Sequence, residues 1–181
     1  MWRVHRKLFI RTLATMSLLL LLLCGVDAVT ADDEEREHVT RFTAIDISCE
    51  VLDPGMVTVD AEGVTHIEGQ VFKGIVTSDN ELIAGTSYII VDAVIEPGSD
   101  ITQLWVNVSY YPTAVRGTWV APGQGQVSPE GLLVRHRGQG TRDLRKSRIK
   151  FEVRGATDVG TLPCTPVIPP AELKGVIIDK R

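Results

Sequence analysis

His66 and Glu68 are the strongest candidates for acid/base chemistry in this sequence. They lie two residues apart in a segment with a strand pattern, so their side chains share one face of that strand. If this face lines the interior of a barrel, the imidazole and the carboxyl group form a pair that can move protons. If it faces outward, both are solvated polar side chains, which is the commoner situation for isolated His and Glu.

The sequence contains no other pattern typical of a catalytic site. Beyond residue 28 the histidines are His38, His66 and His136, with no His-x-His or His-Glu-x-x-His spacing, so we predict no metal site. Neither a Gly-x-Ser-x-Gly nucleophile elbow nor a phosphate-binding glycine-rich loop before a helix occurs. His136 lies between Arg135 and Arg137, and we therefore assign it to a basic surface. These features favour a non-enzymatic protein over an enzyme, and they predict no cofactor.

A basic segment near the C-terminus is a second candidate site. Residues 135–154 carry eight Lys and Arg residues against two acidic residues. Within it Arg148, Lys150 and Arg154 alternate with apolar residues, so strand periodicity places the three cations together on the outer face. Such a cluster is either a solvated strand surface or a binding site for an anionic polysaccharide, a lipid headgroup or the acidic N-terminal tail.

Residues 1–28 predict a helical signal peptide. Four basic residues within the first eleven precede an apolar stretch, and small residues end the segment at Ala28. The apolar run over residues 16–24 is too short for a hydrocarbon core of about 30 Å, so we predict no permanent membrane span. We expect cleavage after Ala28, with Ala31 as a second acceptable site, and a protein that is secreted, periplasmic or extracellular.

The mature chain is acidic overall. The leader holds four of the 19 basic residues and one of the 23 acidic residues, which leaves a formal charge of −7. This sign argues against nucleic-acid binding, because that function needs a basic surface. Residues 29–41 include an acidic run without apolar periodicity, and they predict a disordered tail.

Cys49 and Cys164 are the cysteines of the mature chain. In an exported protein, a widely separated pair without Cys-x-x-Cys spacing predicts one disulfide. In the chain-entropy model, closing a loop of about 100 residues is worth roughly 4–5 kcal/mol. Two buried free thiols are the alternative.

The remaining sequence consists of short strand patterns separated by turns. They cover residues 43–51, 57–59, 64–77, 86–96, 104–111, 115–121, 131–137, 147–155 and 173–178. In the first, Ile45 and Ile47 lie on the apolar face and Asp46 lies on the polar face. Residues 122–125 predict a loop, while Gly69 and Gly74 predict a bulge or bend of the kind that closes a barrel. Residues 42–181 therefore predict an all-β domain, a small antiparallel barrel of about eight strands, with a β-sandwich as the alternative.

Three segments resemble a known architecture. They are Asp60-Ala61-Glu62-Gly63-Val64-Thr65-His66-Ile67-Glu68-Gly69, Ser78-Asp79-Asn80-Glu81-Leu82 and Gly138-Gln139-Gly140-Thr141-Arg142-Asp143-Leu144. Through them, about residues 42–180 resemble uncharacterised exported bacterial proteins whose barrel is similar in plan to allene oxide cyclase and dirigent proteins. The resemblance implies the barrel, and no catalytic residue of the cyclase matches a position here. Many relatives have Gly-Asp-Leu-x-Gly in the late turn, where this chain has Arg142-Asp143-Leu144-Arg145.

We therefore expect an exported, non-enzymatic barrel that binds a small apolar ligand or an anionic surface. The alternative is a cyclase- or isomerase-like enzyme that uses the barrel interior. Inward-facing His66 and Glu68 in a cavity of roughly 300 Å³ or more would favour the enzyme. A filled interior would favour a structural or surface-binding role.

Overall fold

The part of the chain that the structure describes, residues 37–156 and 162–180, is all-β, and the structure is a computed structural model. Its strands are β1 (Glu37–Asp53), β2 (Met56–Val59), β3 (Thr65–Ser78), β4 (Gly85–Ile95), β5 (Thr102–Pro112), β6 (Trp119–Ser128), β7 (Gly131–Gly140), β8 (Ser147–Gly155) and β9 (Ala171–Lys180). A short 3-10 helix, Arg142–Leu144, lies between β7 and β8. Residues 1–36, which contain the predicted signal peptide, lie outside the described residues.

Eight of these strands close into an antiparallel barrel. Hydrogen bonding runs in the order β1, β9, β8, β7, β6, β5, β4, β3, and β3 pairs back to β1 with Ile45 opposite Thr77. Within the described residues β2 pairs with β3 alone, and it lies outside the closed ring. The closure confirms the predicted barrel, and the sandwich alternative is wrong.

Apolar side chains fill one end of the barrel. Because the strands alternate in direction, the β3–β4, β5–β6 and β7–β8 connections meet at this end. Trp119 is completely buried here, and its indole Nε1 donates a hydrogen bond of 2.7 Å to the Leu82 carbonyl oxygen. Ile83, Leu144 and Ile149 belong to the same buried cluster. Full burial of side chains of this size is worth roughly 1.5–3 kcal/mol each, so this end supplies much of the core.

The described part of the connector between β8 and β9 that precedes β9, residues 162–170, lies at the other end of the barrel. The predicted disulfide joins Cys49 of β1 to Cys164 of the connector, with their Cα atoms 5.8 Å apart. Three residues further on, the Val167 backbone N–H donates to the Ser48 carbonyl oxygen at 2.9 Å. The covalent bond and the hydrogen bond together hold the proline-rich connector against β1.

Two predicted boundaries differ from the structure. Residues 37–41, assigned to the acidic tail, belong to β1, where their backbone pairs with β9 from Glu37 opposite Lys180 to Arg41 opposite Val176. Backbone pairing of this kind needs no apolar side chain, so the charge pattern does not reveal it. The predicted loop at residues 122–125 lies inside β6.

The two glycines predicted to bend β3 have different roles. Gly69 has φ +69° at a shift in the strand register, and its N–H donates to Asp92 Oδ1 at 2.7 Å. This is the predicted bulge. Gly74 pairs with Ser87 of β4 in regular register, but on its other side it lies at a register shift of β1 between Ser48 and Glu50. A Cβ built at Gly74 would lie 2.6 Å from Ser87 Oγ and 2.8 Å from Asp46 Oδ1. Gly74 therefore makes room for two polar side chains inside the barrel.

Candidate functional site

The half of the barrel under the connector encloses a cavity of about 530 Å³. Most of the residues that line it are aliphatic, among them Val91 of β4, Leu104 of β5 and Val134 of β7. Pro169 and Pro170 of the connector border it at the disulfide-bonded end. A cavity of this size and composition is typical of sites for small molecules.

Few polar groups reach this cavity. Of the described residues that line it, five have polar atoms in their side chains, and none of the lining residues is Lys or Arg. The five are Asp46, Ser48, Gln70, Tyr110 and His136. Asp46, Ser48, Tyr110 and His136 are at most 4% exposed. Tyr110 lies two residues before the end of β5 at the filled end of the barrel, and Asp46 and His136 lie beside it at the deep side of the cavity, Asp46 through its carboxyl group and His136 through the shared neighbour Phe151.

Asp46 is the centre of a buried hydrogen-bonded cluster. The Ser87 hydroxyl of β4 donates to Asp46 Oδ1 at 2.8 Å, and the Tyr110 hydroxyl of β5 bonds the same carboxyl group. Burial raises the pKa of Asp46 to about 7, because removal from water disfavours the charged form more than the two hydroxyl groups stabilise it. Burial and the neighbouring Asp46 charge raise the pKa of Tyr110 well above its usual value, so the phenol keeps its proton.

A carboxyl group with a pKa of about 7 exchanges its proton readily at neutral pH. In its neutral form Asp46 can donate a hydrogen bond, and in its ionised form it accepts from the Ser87 and Tyr110 hydroxyls. Groups of this kind serve as general acids or bases when a substrate lies within reach. The cavity therefore contains one group with the acidity that proton transfer requires.

His136 is the second ionisable group of the cavity. Its ring stacks on Phe151, with centroids 4.6 Å apart and planes 7° from parallel. Its Nδ1 lies 2.9 Å from the Ala121 carbonyl oxygen, and because a carbonyl only accepts, Nδ1 carries the proton. Burial lowers the pKa of His136, which keeps the ring neutral at physiological pH.

The second ring nitrogen of His136 faces the cavity. Among the described residues, no fully buried side-chain nitrogen or oxygen lacks a hydrogen-bond partner. Since the hydrogen bond of His136 uses Nδ1 and the residue lines the cavity, its Nε2 is exposed there as an acceptor. Gly123, opposite His136 on β6, leaves the space for this ring, because a Cβ at that position would overlap it.

Sequence reasoning placed both deep ionisable groups outside the barrel. The prediction that His136 belongs to a basic surface is wrong, because alternation turns Arg135 and Arg137 outward and His136 inward. On β1 the predicted polar face is the interior face, where Asp46 continues the inward row of Phe42 and Ala44. This row, which begins at Phe42, the residue after the predicted tail, was the available signal.

The structure places the predicted pair His66 and Glu68 away from this cavity. They border a shallow depression together with Asp92 and Trp105. Trp105 lies between two residues of β5 that line the interior, so the depression is on the outer face. His66 Nε2 lies 3.3 Å from Asp60 Oδ2, and both side chains are about one-third exposed.

The basic segment lies on the outer face of β7 and β8, as predicted. Arg148, Lys150 and Arg154 are exposed. Two of these cations have carboxylate partners: Arg148 Nη2 lies 2.7 Å from Glu37 Oε1, and Arg154 Nη2 lies 3.3 Å from Glu152 Oε2. Lys150 has no ion pair within the described residues. Acidic residues therefore neutralise part of the predicted anion-binding surface.

Residues 37–156 and 162–180 contain no group of three or more His, Cys, Asp or Glu side chains that could hold a metal ion. No helix within these ranges is long and apolar enough to cross a membrane. Neither protein-family models nor curated proteins nor solved structures give a match to this chain.

Proposed function

We propose that this protein is an exported barrel that binds a small, mainly apolar molecule in its interior. The observation that carries the proposal is the cavity of about 530 Å³ with largely aliphatic walls. Protein interiors are normally packed with few voids larger than a water molecule, so an opening of this size is not ordinary packing. The disulfide supports export, because such bonds persist mainly in oxidising compartments.

The cavity can provide useful affinity without any polar contact. A ligand that loses about 250 Å² of apolar surface to water gains about 6 kcal/mol at 25 cal/mol per Å². This gain offsets the loss of translational and rotational freedom on binding, which costs at least about 4 kcal/mol. Hydrogen bonds to the deep polar groups would tighten binding further.

Binding of the fluorescent apolar dye N-phenyl-1-naphthylamine tests the proposal. We expect saturable binding at one site and displacement by naphthalene. Leu132 lines the cavity, and Leu132→Trp should weaken dye binding at least tenfold by filling it. Val120 is 44% exposed on the outer face of β6, so Val120→Trp is the matched control and should bind like the unaltered protein. Equal binding by both folded variants would contradict the proposal.

A cyclase- or isomerase-like enzyme is the second candidate function. It is favoured by Asp46, whose pKa of about 7 suits a general acid inside an apolar cavity. Such an enzyme would convert a co-purified ligand into an isomer of equal mass and different chromatographic retention. Asp46→Asn should stop the conversion while the ligand still binds, whereas a pure binding protein would leave the ligand unchanged in both forms.

Binding of an anionic surface through β8 stays a prediction, as does a relationship to allene oxide cyclase and dirigent barrels. Lys150 and its cross-strand neighbour Arg137 are the cations that support surface binding best, because Lys150 lacks an ion-pair partner among the described residues.

A further inference from the structure

We propose that the cavity selects an uncharged ligand with a hydroxyl or carbonyl group at its deep end, recognised by Asp46 and His136. The inference rests on the proposed function, because it specifies the ligand of the same cavity. It follows from which polar atoms line the cavity, which of them already have partners, and which charges the lining lacks.

Anionic ligands have no cationic partner among the described residues of this cavity. A buried carboxylate or phosphate needs a cation or several hydrogen-bond donors to replace water. No described lining residue is Lys or Arg. The ring proton of His136 is already donated to the Ala121 carbonyl oxygen, and Asp46, which lines the same cavity, repels an anion whenever it is ionised.

Cationic ligands are also disfavoured. An ammonium group would have to lose its water shell in an apolar cavity and pair with Asp46, and burying two charges costs several kcal/mol for each ion. Burial already favours the neutral form of this carboxyl, as its raised pKa indicates. His136 Nε2 is a neutral acceptor, which is too weak a partner to compensate for this cost.

An uncharged oxygen group fits the atoms that remain. The hydroxyl groups of Ser87 and Tyr110 satisfy Asp46 as an acceptor, so the proton of the neutral carboxyl is available to a ligand oxygen. His136 Nε2 can accept from a ligand hydroxyl. An alcohol or a phenol can use either residue, and a ketone can use Asp46.

Four naphthalene derivatives on one scaffold test this selection. Naphthalene, 2-naphthol, 2-naphthoate and 2-naphthylmethylammonium are compared at pH 6 by displacement of N-phenyl-1-naphthylamine from the unaltered protein. We expect 2-naphthol to bind about tenfold more tightly than naphthalene, which is the gain from one net hydrogen bond. Both charged derivatives should bind more weakly than naphthalene.

Two variants assign the recognition to residues. Asp46→Leu removes the carboxyl with little change in shape, and His136→Phe keeps a ring that can stack on Phe151. In either variant the advantage of 2-naphthol over naphthalene should decrease while naphthalene still binds. Glu68→Gln on the outer face is the control and should keep the full advantage.

The outcomes separate this inference from the proposed function. If neither the dye nor naphthalene binds, the proposed function fails. If naphthalene binds but 2-naphthol is no tighter, or if a charged derivative binds more tightly than 2-naphthol, the selection for uncharged ligands is wrong. The ligand series on the unaltered protein decides this even if a variant does not fold.

Discussion

Asp46 should make the stability of the barrel fall as the pH rises through the neutral range. Its pKa is about 7 in the folded protein, against an ordinary value of 3.8. Between these values the unfolded chain releases the proton while the folded protein keeps it. Because the unfolded state then binds fewer protons, the free energy of unfolding decreases as the pH increases.

The size of this effect follows from the difference in pKa. Each pH unit between the two pKa values changes the free energy of unfolding by about 1.4 kcal/mol. The full difference corresponds to about 4 kcal/mol, lost between roughly pH 4 and pH 7. His136 opposes this trend, because its lowered pKa makes stability rise with pH below the ordinary histidine value. A variant in which Asp46 does not titrate is therefore needed to isolate the effect.

Urea unfolding of the unaltered protein and of Asp46→Asn provides the measurement. The asparagine keeps the shape of the carboxyl but does not ionise, so contributions from other groups cancel in the difference between the two proteins. The variant should gain about 2 kcal/mol relative to the unaltered protein between pH 5 and pH 7, and little more above pH 8. Fluorescence of the buried Trp119 reports the transition. A difference that is constant over this pH range would refute the reasoning.

Three further predictions concern the connector, the interior and the outer face. Replacing both disulfide cysteines with serine should lower the free energy of unfolding by about 4–5 kcal/mol and speed dye release, measured by urea titration and stopped-flow fluorescence. Gly74→Ala should lower the free energy of unfolding by about 1–3 kcal/mol in the same titration, because the new Cβ would meet Asp46 and Ser87. The control Gly155→Ala has open space around its Cβ and should change the free energy of unfolding by less than about 0.5 kcal/mol. The mature protein should bind a heparin column at low salt and elute as the salt concentration is raised. Reversing the charges of Arg148 and Lys150 should abolish this retention without unfolding the barrel. If the folded, unaltered protein elutes in the void volume, the basic residues form only a solvated strand surface and do not bind anions.

Strand alternation predicts the barrel well where polarity and orientation agree. In β8, Ile149 and Phe151 are buried while Arg148 and Lys150 are exposed, as the period of two requires. The same rule is wrong for β1, because its inward row includes the polar residue Asp46. A pattern that assigns polar residues to the outside therefore fails in a barrel whose interior is partly polar.

The site was difficult to predict for the same reason. Its chemistry comes from polar side chains turned inward, and these side chains violate the binary pattern used to find strand faces. Closure also matters, because Asp46 and Ser87 are 41 residues apart and meet only when β1 and β4 both pair with β3. No local pattern contains that contact.

Glycines inside regular strands nevertheless provide a signal for such sites. Gly74 pairs with Ser87 in a regular register and leaves space for it and for Asp46, and Gly123 pairs with His136 and leaves space for its ring. At both positions, the space that the glycine leaves empty is occupied by a polar side chain that points inward from a neighbouring strand. A glycine inside a strand is costly unless a bulge or close approach requires it. A polar residue that pairs with such a glycine is therefore a candidate for the barrel interior. Applied to Gly74 and Gly123, this rule selects Ser87 of β4 and His136 of β7.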